Sequence, residues 1–94
     1  MFNVYKITGS FKNEYFISYS CHSIQYVLHK KLTHFYEKQG DWHPCYLLFE
    51  DDCNKISIEK IVVLENEQLC IQFIHNYANK NSGCINNRKN PYDC

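Results

Sequence analysis

Asn3-Val4-Tyr5-Lys6-Ile7 and, after a turn, Glu14-Tyr15-Phe16-Ile17-Ser18-Tyr19-Ser20 decide how this chain is read. Both stretches are dense in β-branched and aromatic residues, which pack well on a pleated surface. Gly9-Ser10-Phe11-Lys12-Asn13 between them carries turn chemistry. The pair is therefore predicted to form an antiparallel hairpin.

Working outward, Ser20 to Ser23 offers capping hydroxyls for a helix. Ile24, Val27, Leu28, Leu32 and Phe35 follow at helical spacing, and Gly40 is the expected stop. Asp41-Trp42-His43-Pro44 reads as a loop. Cys45-Tyr46-Leu47-Leu48-Phe49-Glu50 is a short apolar run that periodicity alone assigns to neither strand nor helical turn. Asp51-Asp52-Cys53-Asn54 reads as a turn. Residues 55–64 form the clearest strand, with Ile56, Ile58, Val62 and Leu64 expected on one face and Lys60 interrupting. Asn66 is placed to cap a second helix, whose apolar stripe is Leu69, Cys70, Phe73, Ile74 and Tyr77. Cys84-Ile85-Asn86-Asn87 is expected to tuck back onto the core. The predicted order is β-β-α-(short)-β-α, a small α/β (α+β) domain with a three-stranded, mainly antiparallel sheet flanked by helices. One domain over residues 1–88 and a C-terminal tail over 89–94 are expected.

The bulk numbers agree with a single small core. The chain has 94 residues, 45% hydrophobic and 16% aromatic, which suits one domain and argues against disorder. No apolar run approaches the roughly 18–20 residues of a membrane helix, and Met1-Phe2-Asn3-Val4-Tyr5-Lys6 lacks a signal-peptide pattern. A protein that is not secreted is the expectation. Its six cysteines (Cys21, Cys45, Cys53, Cys70, Cys84 and Cys94) then read mostly as buried free thiols rather than a disulfide framework.

Net charge is zero but unevenly spread. Residues 1–40 carry five lysines against Glu14 and Glu37, a net of +3; residues 41–70 carry seven acids against Lys55 and Lys60, a net of −5. Residues 71–94 return to +2. Lys30, Lys31 and Lys38 are the nucleic-acid-binding candidates. Tyr36, Trp42, Tyr46 and Tyr92 fall in or near loops and helix ends, where aromatic residues commonly anchor interfaces.

The hairpin, the element order and four short pieces of sequence together resemble a GIY-YIG endonuclease domain, of the short type found in large DNA viruses. The pieces are Tyr5-Lys6-Ile7 in the first strand, Leu48-Phe49-Glu50 before the long strand, the acidic helix start Glu65-Asn66-Glu67-Gln68-Leu69, and Cys84-Ile85-Asn86 after the last helix. That family's chemistry needs hairpin tyrosines to position or activate water and a helix arginine to grip phosphate through its planar fork. It also needs a helix glutamate to hold a divalent metal.

This chain departs at most of those positions. Tyr5 matches the first motif. The second aligns with Phe16-Ile17-Ser18, so its hydroxyl and glycine are gone. A shift to Tyr15 would place that side chain on the opposite sheet face. Lys31 stands for the arginine, and His34 falls where many members carry a helix histidine. The glutamate should lie between Gln72 and His75, yet no Asp or Glu occurs between Glu67 and Asp93. Each lost catalytic group typically removes about 10²-fold or more in rate.

The resemblance therefore implies a catalytically inactive pseudoenzyme with a structural or protein-interaction role in a large DNA virus particle. The location would be the virion or the host cytoplasm or nucleus. Its partners would be other proteins, with weak nucleic-acid contact and no membrane, and no cofactor. One alternative is a weak or altered Mg-dependent nuclease using Tyr5, Lys31 and a carboxylate such as Glu50 or Glu67. Another is a nucleic-acid-binding module that does not cleave. His43, Cys45 and Cys53, with Cys21 and His22 upstream, have zinc-ligand chemistry but no Cys-x-x-Cys spacing. No metal site is therefore assigned. A Cys–His nucleophile pair is open to any chain this rich in both residues.

Overall fold

A computed structural model describes residues 1–10, 13–37, 43–49 and 53–88. The hairpin forms as expected. β1 (Phe2–Thr8) and β2 (Tyr15–Ser20) pair antiparallel, with Tyr5 opposite Ser18 and Ile7 opposite Phe16. α1 (Ile24–Glu37) follows, then the short α2 (Tyr46–Phe49) and a 3₁₀ turn (Cys53–Lys55). β3 (Ser57–Leu64) and α3 (Glu67–Lys80) complete the chain of elements. Among the described residues the sheet is three-stranded and antiparallel, in the order β2-β1-β3. No helix among them is long and apolar enough to cross a membrane. Residues 89–94, the expected tail, lie outside the described residues.

Both helix starts follow from their capping residues. The Ser23 hydroxyl accepts from the Tyr26 N–H at 3.3 Å, and the Asn66 side chain accepts from the Leu69 N–H at 2.9 Å. The ambiguous apolar run resolves as a helical turn. Tyr46, Leu47 and Leu48 donate to the carbonyls of His43, Pro44 and Cys45 three residues back. This turn buries Cys45, Leu48 and Phe49, positions one, four and five of the run.

The strand alternation divides the core between the two sheet faces. On one face Tyr5, Ile7 and Phe16 pack with Val27 of α1, with Cys45, Leu48 and Phe49, and with Ile85. On the other, Val4, Tyr15 and Ile17 pack with Cys70 of α3, supported by Phe73, Ile74 and Tyr77.

The sheet corrects one expectation. Ile56, Ile58, Val62 and Leu64 do not share a face, because the β1–β3 register shifts between Val4 and Tyr5. Val4 faces Val62 while Tyr5 faces Lys60, so Ile61 is the extra residue of a bulge. Ile56 and Ile58 pack toward α1 and α2, whereas Ile61, Val62 and Leu64 pack toward α3. The strand also starts at Ser57 rather than at residue 55.

The segment after α3 returns to the core. Tyr15 N–H donates to the Gly83 carbonyl and Ile85 N–H to the Tyr15 carbonyl, both at 2.9 Å. This forms a short parallel bridge between Tyr15 and Cys84 on the outer edge of β2. Asn86 then continues the ladder with its side chain. Its Oδ1 accepts from the Ile17 N–H at 2.9 Å, and its Nδ2 donates to the Ile17 carbonyl. Ile85 is fully buried, worth about 1.5–3 kcal/mol. Arg88 adds an exposed ion pair to Glu14 at 3.1 Å. Gly83 makes the approach possible: its φ is +100°, and a Cβ there would lie 1.7 Å from the Asn13 carbonyl oxygen.

Candidate functional site

The sheet face under α1 gathers three of the residues singled out in the sequence. Tyr5 points to this face from β1 and is only 2% exposed. It shares a hydrogen bond with Ser18, and burial pushes its hydroxyl up to a pKa of about 12. Phe16 lies on the same face. Lys31 reaches down from α1 and sets its ammonium 5.3 Å from the centre of the Phe16 ring, a cation–π contact.

His43 and Cys45 join them from the other side. The His43 ring meets Phe16 edge-on at 5.3 Å, and its Nδ1 is 3.7 Å from the Cys45 sulfur. Burial, and secondarily the Lys31 charge, lower the His43 pKa and favour the neutral ring. Burial raises the Cys45 thiol to about 11, with Lys31 partly opposing. At neutral pH the cluster thus holds a protonated phenol, a neutral imidazole, a protonated thiol and one ammonium. A thiol in that state is a poor nucleophile.

The remaining candidates are elsewhere. Gln72 and His75 are exposed on α3, which packs through Cys70, Phe73, Ile74 and Tyr77 onto the opposite sheet face. Tyr15 belongs to that face too, as its place in the strand alternation requires. Lys30 and His34 are exposed on α1, with the Lys30 ammonium 5.7 Å from the Tyr26 ring. Glu67 is exposed at the start of α3. Tyr36 is 65% exposed, its ring 5.7 Å from that of Phe35. Tyr46 is half-buried, its ring 5.4 Å from Phe35 and 6.0 Å from Phe49. Lys38, Trp42, Glu50 and Tyr92, and the side chain of Cys53, lie outside the described residues. Among the described residues no three His, Cys, Asp or Glu side chains gather into a metal-holding group. Cys21 is exposed and Cys84 half-buried, and both are free thiols like the buried Cys45 and Cys70.

Sequence reasoning missed two features. Ser18 is the hydrogen-bonding partner of Tyr5, which the antiparallel register of the hairpin could have indicated. The other is Lys6, a charged residue in an otherwise buried run of β1. Its ammonium lies 5.9 Å from the Tyr15 ring and 5.7 Å from the Tyr77 ring, on the α3 side of the sheet.

No family model, curated protein or solved structure matches this chain.

Proposed function

We propose that this chain is a GIY-YIG-like domain that has lost the means to cut nucleic acid and serves as a structural or protein-interaction component of a large DNA virus particle. The observation that carries the non-catalytic part is the state of Tyr5 and Lys31. The phenol that would activate water is 2% exposed with its pKa raised to about 12, and the cation that would grip phosphate rests on the Phe16 ring. Gln72 and His75, at the metal-ligand positions of the resemblance, stand on a helix across the sheet from both. The virion role rests on the resemblance, and the exposed Tyr36 supports partner contact.

Incubation with supercoiled plasmid and Mg²⁺ or Mn²⁺ tests the first part, and no nicking above buffer is expected. Metal-dependent nicking that Tyr5→Phe abolishes would overturn it. Mass spectrometry of purified particles tests the second: absence from the particle rejects the virion role.

One observation favours a second reading, nucleic-acid binding without cleavage. His22, Tyr26, Lys30 and His34 recur every four residues and are all exposed, and α1 carries no acidic residue before Glu37. The His22 and Tyr26 rings are 4.7 Å apart. A stripe of one lysine and three aromatic rings suits a phosphate contact and base stacking. Retention on DNA that falls steeply with salt and is lost in Lys30→Ala would favour it over the protein-interaction role.

A further inference from the structure

A cleft of about 230 Å³ opens on the α3 side of the sheet, lined by Lys6, Asn13, Tyr15, Tyr77, Asn81 and Ser82. We infer that it is a binding site for a compact oxyanion, a carboxylate or phosphate group of a small molecule. The site is separate from Tyr5 and Lys31, which face the other side of the sheet. It stands or falls independently of the proposed function.

The charge is supplied by Lys6. An ammonium has three donor protons, and one bond, to the Tyr77 hydroxyl at 3.2 Å, is accounted for. Among the described residues no carboxylate is within ion-pairing distance of Lys6, although Glu59 is its cross-strand neighbour.

A lysine beside a helix C-terminus commonly serves to cap the last carbonyls. Here that work is done by neutral donors. The Asn81 N–H and side-chain amide both donate to the Tyr77 carbonyl, at 2.9 and 3.1 Å, and the Tyr15 hydroxyl donates to the Asn81 carbonyl at 2.5 Å. Lys6 bonds a hydroxyl instead, which leaves its charge available to the cleft.

The lining suits the ligand in two further ways. Tyr15 and Tyr77 meet edge-to-face at 5.5 Å, and both rings lie within about 6 Å of the ammonium and hold it at the cleft, where a charge-assisted hydrogen bond to an oxyanion is the stronger kind. Asn13, Asn81 and Ser82 add amide and hydroxyl groups at the rim, for the second oxygen of a carboxylate or the remaining oxygens of a phosphate.

The test is an amide NMR titration of the full chain with inorganic phosphate and, separately, with acetate, each against chloride at equal ionic strength. Saturable shifts are expected at Lys6, Tyr15, Asn81 and Ser82, with a dissociation constant of the order of 1 mM. Saturation by phosphate alone assigns a phosphate ligand, and saturation by acetate as well assigns the broader oxyanion class. Lys6→Met should weaken binding about tenfold or more, and Tyr77→Phe should weaken it by a smaller factor. Shifts that rise without saturating, that chloride reproduces, or that survive in Lys6→Met would overturn the inference. If Lys6→Met does not fold, the wild-type titration against chloride and the Tyr77→Phe comparison decide it.

Discussion

Replacing Asn86 by alanine removes both hydrogen bonds between its side-chain amide and the Ile17 backbone. Such a bond is worth about 1 kcal/mol net, and the loss is about 1–3 kcal/mol for each partner left unsatisfied. Both bonds are part-buried, so each loss falls in the lower part of that range. The expected loss is about 2–4 kcal/mol. For a domain of this size each kcal/mol moves Tm by about 4–8 °C, so Tm should fall by at least about 8 °C. Thermal and urea unfolding of Asn86→Ala measure the loss. Asn87→Ala, at the exposed neighbouring position, is the control, expected within about 0.5 kcal/mol of wild type. Hydrogen exchange at the Ile17 amide adds a local readout and should quicken in Asn86→Ala. If the two variants unfold together, Asn86 does not clasp the edge of β2 and the reasoning fails.

Two further predictions concern neighbouring features. Gly83→Ala should cost more than about 2 kcal/mol, since φ of +100° is strained for alanine and its Cβ would collide with the Asn13 carbonyl; a Tm unchanged from wild type would contradict it. Among the thiols, exposed Cys21 should react quickly with an alkylating reagent at pH 8, while Cys45, buried and raised to about 11, should react only on unfolding; peptide mapping after timed alkylation decides, and equal rates would refute the burial of Cys45.

The elements were legible where local chemistry and tertiary packing agree. Val4-Tyr5-Lys6-Ile7, Ser23 and Asn66 signalled the hairpin and both helix starts, and the caps are made as the residue types imply. The helical turn at Cys45–Phe49 was undecided because a run that short carries one turn's worth of periodicity. Burial at Cys45, Leu48 and Phe49 is the pattern that resolves it. The bulge at Ile61 was invisible because it is set by pairing with β1, while the strand's own sequence alternates passably through it. The return of Ile85 and Asn86 was legible as a tendency. That an asparagine side chain would replace a strand's hydrogen bonds is a tertiary fact.

The site divides similarly. Tyr5, Phe16 and Lys31 were expected together and do share one face, because alternation in the hairpin fixes the first two. His43 and Cys45 complete that cluster through a turn whose path no local signal gives. Gln72 and His75 were grouped with Tyr5 through the resemblance, yet α3 packs its Cys70–Tyr77 stripe on the other face and leaves both exposed.

The central claim is that Tyr5 is a core group and does not activate water, and its titration tests this most directly. With ring-labelled tyrosine followed by NMR against pH, the Tyr5 signal should stay protonated through the ordinary tyrosine range near 10 and titrate only at about 12. Because the folded state holds that proton more tightly than the unfolded chain, its contribution to stability is present in full below pH 10. It is lost as pH rises from 10 toward 12, so the domain should weaken over that window. A Tyr5 hydroxyl that titrates at or below the ordinary value would mark an exposed, activated phenol and contradict the account.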